Sequence, residues 1–170
     1  MKKRIDKKAQ QILGLSFGVI FSIILIVFFI AIVGIVIKSF LQTGDCAKLG
    51  IFTDSFKSDV RKSWNSQYDK HAFNGRLPSG IDYICFANLS APVKGGFEDI
   101  GYDLGLFVGR RANTFFYPTT KACENPYNQI DHLDIEGMTK RNNPNCISVV
   151  RGKVELQVEK ELNDRFVNVG

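Results

Sequence analysis

The sequence predicts an α+β protein: an N-terminal single transmembrane helix, followed by an amphipathic helix packed on an antiparallel β-sheet. Three observations predict it. Ile12 to Ile37 is a run of 26 residues without a charge, with Ser16 and Ser22 as its only polar side chains. Leu49, Phe52, Phe56, Val60 and Trp64 then recur at intervals of three and four, a one-sided helical stripe. Near the end of the chain, Lys153 to Val158 alternates polar and apolar residues, the period of a half-buried strand.

The apolar run comes first. A bilayer core needs about 20 apolar residues in helical form. At about 1.5 Å per residue, 26 residues reach about 39 Å, enough to span with some tilt. The run exceeds the roughly 7–15 apolar residues of a secretory signal. Lys38-Ser39-Phe40-Leu41 follows it in place of a small-residue cleavage site. The chain therefore divides into a basic cytoplasmic leader (1–11), a transmembrane helix (12–37) and an extracytoplasmic α+β domain (38–170). Five of the 22 basic residues (Lys2, Lys3, Arg4, Lys7, Lys8) precede the run, against Asp6 alone. The leader carries +4 and the remainder, 17 basic against 16 acidic residues, only +1. By the positive-inside rule the amino terminus stays in the cytoplasm and the rest lies outside. A nucleic-acid binder would concentrate its charge on the folded domain, so no nucleic-acid partner is expected. The bilayer itself is the first partner.

Within the run, Gly14, Gly18 and Ser22 recur every four residues and place small side chains on one helical face. Such faces let membrane helices approach closely, and the expected consequence is self-association or pairing with other membrane-helix subunits. Beyond Lys38 the helix has two readings. Either it continues without interruption, or it breaks near Gly44 and restarts with Asp45 as an N-cap. Either way the stripe to Trp64 needs a sheet to cover.

Gly75 to Gly80 has turn chemistry, and Ile81 to Phe86 reads as a strand. Asn88-Leu89-Ser90 is an N-glycosylation sequon, with Asn88 the acceptor. Val93 to Ala112 has helical spacing, but Gly101, Gly105 and Gly109 each cost about 1 kcal/mol in a helix interior, so a short, weak helix or an irregular crossing is expected there. Asn113 to Tyr117 reads as a strand closed by Pro118. His132 to Glu136 alternates like another, with Leu133 and Ile135 inward. Cys146 to Val150 and Lys153 to Val158 flank Arg151-Gly152 as a hairpin. Arg165 to Val169 would complete a three-stranded meander.

Cys46, Cys85, Cys123 and Cys146 all fall in the outer part, where disulfides form. Four cysteines allow three pairings. Cys46–Cys85 with Cys123–Cys146 is favoured, since the second bridge would clasp a polar, Pro- and Asn-rich stretch. No cysteine has a partner at metal-ligand spacing, and Asp131, His132, Asp134 and Glu136 match no calcium loop. No metal and no cofactor is expected. No nucleophile elbow, metalloprotease motif or phosphate loop is present, so the sequence points away from an enzyme.

The order of parts resembles archaeal type IV pilin-like proteins with a class III signal. The resemblance rests on the basic leader, the immediate apolar helix, its amphipathic extension and the carboxy-terminal antiparallel sheet. It implies cleavage between Ala9 and Gln10, after Lys7-Lys8. Gly14 stands at the fifth mature position, where many pilins carry glutamate, which suits a minor subunit better than a major one. The expected function is a membrane-anchored structural or assembly subunit that associates through its transmembrane helix. The alternative is a binding module that grips a partner protein or glycan through the 118–146 loop, with Tyr117, Tyr127 and His132 as contacts.

Overall fold

The computed structural model describes residues 7–123 and 126–170, with side chains from Phe17 onward, Gln42 excepted. The first helix, α1, runs from Lys7 to Trp64. It stays helical through Gly44-Asp45, so the uninterrupted reading holds. Asp45 does not cap a new helix; its carboxylate accepts from Lys48 Nζ at 2.8 Å, one turn along. Among the described residues this is the one helix long and apolar enough to cross a membrane. Its side chains from Phe17 to Ile37 are exposed in the isolated chain, as lipid-facing residues are.

The chain forms two compact units, residues 1–43 and 44–170. The second is an α+β domain. Its strands are β1 (Asp69–Arg76), β2 (Tyr83–Phe86), β3 (Thr114–Tyr117), β4 (Tyr127–Asn128), β5 (Asn145–Ser148), β6 (Lys153–Lys160) and β7 (Asn168–Val169). Two short helices are inserted, α2 (Glu98–Leu104) and α3 (Ile135–Met138). The strands make two antiparallel sheets, one of order β1-β6-β7 and one of order β4-β3-β2-β5.

The helical stripe is the spine of the core. Leu49, Phe52, Phe56 and Val60 are buried. Phe52 meets Phe73 of β1 and Phe116 of β3, and Phe56 meets Phe86 of β2, so one helix face seals both sheets. Burying each such side chain is worth about 1.5–3 kcal/mol. Gly75 makes room for this packing, because a Cβ there would collide with the Phe52 ring. In β6, Val154, Leu156 and Val158 point into the core while Lys153, Glu155 and Gln157 are exposed, the alternation the sequence predicts. The four-stranded sheet is covered on both faces. Ile84, Phe86 and Phe116 join the α1 core, whereas Cys85, Phe115 and Cys146 join a second cluster with Ile100 and Leu104 of α2.

Four expectations are corrected. The disulfides are Cys46–Cys123 and Cys85–Cys146. Cys85 and Cys146 sit opposite each other on β2 and β5, which leaves Cys46 on α1 for Cys123. The 118–146 stretch is therefore pinned at both ends to other elements and is not a loop closed on itself. Arg151-Gly152 does turn the chain, with φ of 53° and 71°, and Val150 and Lys153 exchange hydrogen bonds of 2.8 and 3.0 Å. The flanking strands then part: β5 joins β2, and β6 pairs with β1 over eight residues. The third strand of the meander is thus β1, which the sequence reading passed over. His132 to Glu136 is not a strand. Asp134 accepts from the Gly137 N–H at 3.0 Å and caps α3, although Leu133 is buried as expected. Finally, Trp64, the last residue of the stripe, is not buried with it but 37% exposed.

Candidate functional site

The α+β domain carries an open concavity of about 550 Å³. Three segments frame it: 87–90 after β2, 108–113 before β3, and 129–136 leading into α3, with Phe166 at the rim. Two of these walls are each held by a buried asparagine. Asn143 holds the first. Its Oδ1 accepts from the Asn88 N–H at 3.0 Å, and its Nδ2 lies 3.0–3.3 Å from the carbonyls of Asn88, Ala91 and Pro92. Asn113 holds the third. Its Nδ2 donates to the Ile130 carbonyl at 2.7 Å and its Oδ1 accepts from the Ile130 N–H at 2.9 Å. A side-chain amide can bridge two backbone polar groups in this way, so both loops are ordered without regular structure.

The lining is polar and of mixed charge. Arg110 and Arg111 come from one wall, Asp131 and Glu136 from another, all four exposed. None of them is in an ion pair among the described residues.

The residues predicted to bind a partner do not come together here. His132 lines the concavity, with φ of 70°, and its ring stacks on Trp64 at 3.8 Å between centroids and 11° between planes. Trp64 Nε1 donates to the Arg165 carbonyl at 3.1 Å, so this stack ties the end of α1 to the segment before β7. Tyr127 packs on Phe107 in the second core cluster. Tyr117 donates its hydroxyl to Asp103 at 3.0 Å, and that bond raises its pKa above the usual tyrosine value. Asn88 does belong to the concavity. In α1, Ser22 donates to the Gly18 carbonyl at 2.8 Å, and a Cβ on Gly18 would meet nothing within 4 Å. The surroundings of Gly14 lie outside the described side chains, and residues 1–6 of the leader lie outside the described residues.

A second polar constellation lies between α1 and β1. His71 Nε2 meets Asp59 of α1 at 2.8 Å, and its Nδ1 meets Asp69 at 3.2 Å. The hydrogen bond to Asp59 is the main force raising the His71 pKa, with Asp69 adding to it against a partial loss of hydration. His71 is half-buried. Nothing in the sequence marked Asn113 or Asn143, since a buried asparagine and a turn asparagine look alike there. Among the described residues no three His, Cys, Asp or Glu side chains are grouped to hold a metal ion.

Compared with protein families, characterised proteins and solved structures, the chain matches none.

Proposed function

We propose that this protein is a membrane-anchored, outward-facing assembly subunit of the pilin-like kind, associating through its transmembrane helix. One observation carries the reading. A single helix, Lys7–Trp64, supplies both the apolar span and the buried spine of an α+β domain. In a subunit of this kind the helices pack in the membrane and the domains are displayed outside. The basic leader lies in the cytoplasm and is removed between Ala9 and Gln10, as in a class III signal. The location outside is supported by the cysteines, all four of which are paired, since disulfides persist in oxidising compartments.

The packing face is Gly14, Gly18 and Ser22. Ser22 satisfies its hydroxyl within its own helix, so the face is small and presents no unmet polar group to lipid. Open space beside Gly18 leaves room for a neighbouring helix. Full-length chains in their native membrane are expected to crosslink to one another or to a second helical subunit. Gly18→Ile should reduce that crosslinking severalfold without changing the amount of protein. Equal crosslinking by both forms would rule out this face. An outer domain that captured a non-self protein while the helix stayed monomeric would favour the binding-module reading, for which the concavity is the natural site.

A further inference from the structure

We propose that Asn88 carries an N-linked oligosaccharide and that the 550 Å³ concavity beside it is the seat of that glycan. The inference rests on the outward location of the domain. A three-residue sequon is common by chance, but here its surroundings fit the chemistry. Asn88 lies on the wall of the concavity, and its main chain is fixed by Asn143 on both the N–H and the carbonyl side. Its side-chain Oδ1 is occupied, accepting from the Ser90 N–H at 3.0 Å. Its Nδ2, the atom that would be modified, has no hydrogen-bond partner among the described residues. No buried side-chain nitrogen or oxygen there lacks a partner, so this Nδ2 is not sealed from solvent. Ser90, the third sequon residue, is exposed.

The concavity fits what would follow. Its volume lies within the roughly 300–1,000 Å³ typical of small-molecule sites, room for the first sugars of a chain. Arg110, Arg111, Gln129 and Asp131 offer donors and acceptors to sugar hydroxyls. The walls are already held by Asn113 and Asn143, so little ordering remains to be done when sugars settle there. The glycan is tethered in the wall of its own site, which raises its effective concentration there.

The modification is a group transfer with no redox change. A membrane transferase of the host uses an oligosaccharide linked to a polyprenyl phosphate or pyrophosphate. Asn88 Nδ2 attacks the anomeric carbon and forms the N–C bond. The bond from that carbon to the phosphate oxygen breaks, the lipid phosphate leaves, and the amide gives up one proton.

The test is peptide mass spectrometry, without reduction, on the protein from its native membrane. The expected result is a sugar mass on the Asn88 peptide together with both disulfides. Ser90→Ala should abolish the added mass and Ser90→Thr should keep it. Ser90→Ala removes only an exposed hydroxyl, because the Ser90 contact to Asn88 is made by its main chain. Unmodified Asn88 with both disulfides intact would overturn the glycan and leave the outward location standing. Unmodified Asn88 with free thiols would overturn both. For the seat itself, hydrogen exchange over 108–113 and 129–133 should be slower in the wild type than in Ser90→Ala. Equal exchange in a glycosylated sample would overturn the seat.

Discussion

Asn143 is 3% exposed, and both polar atoms of its side chain are bonded. Removing the amide takes a partner from the Asn88 N–H and from the carbonyls of Ala91 and Pro92, while the Asn88 carbonyl keeps the Ala91 N–H at 3.1 Å. An unsatisfied buried group costs about 1–3 kcal/mol. Asn143→Ala is therefore expected to destabilise the chain by about 1–3 kcal/mol, read as a lower thermal midpoint of the detergent-solubilised protein. A shift of less than about 0.5 kcal/mol, the range of ordinary surface changes, would contradict this role. His71 makes a second prediction. It faces Asp59 from α1 and Asp69 from β1, with Lys62 near Asp69. Its pKa is raised above the ordinary 6.5, so folding favours the protonated ring. That stabilisation is fully present below 6.5 and is lost as pH rises through the raised value. The thermal midpoint should fall over that window, and His71→Gln should flatten the fall. Neither role could be read from the sequence, because each depends on residues 12 to 55 positions apart meeting in space.

At the scale of elements, what could be read was what has a period. The stripe from Leu49 to Val60 and the alternation of β6 repeat over enough residues to identify themselves, and both sit as expected. β1 was passed over because Asp69-Lys70-His71-Ala72-Phe73-Asn74-Gly75-Arg76 is poor in β-branched residues. It is a strand because β6 offers it eight register partners and because Phe73 packs on Phe52 and Phe56. His132 to Glu136 failed the other way: its alternation is real, but the Asp134 cap turns the chain into α3. The disulfide pairing follows strand register, which chain spacing does not encode. Non-reducing peptide maps should give Cys46–Cys123 and Cys85–Cys146. Losing either bridge is expected to cost about 2–5 kcal/mol. A map with Cys123 joined to Cys146 would mean that β2 and β5 are not neighbours as described here.

For the whole molecule, the candidate site was less legible than the fold. Of the residues to which the sequence assigns modification or partner binding, Asn88 and His132 reach the concavity and Tyr117 and Tyr127 do not, because its shape comes from loops that have no period. The proposed function rests on the order of parts: leader, apolar run, amphipathic spine, antiparallel sheets. That order predicts a definite mature chain. The measurement that tests it most directly is the intact mass of the protein purified from its native membrane, after removal of any glycan. A chain beginning at Gln10 is the predicted result. A chain that keeps Lys2 through Ala9 would contradict class III processing and leave a plain amino-terminal anchor.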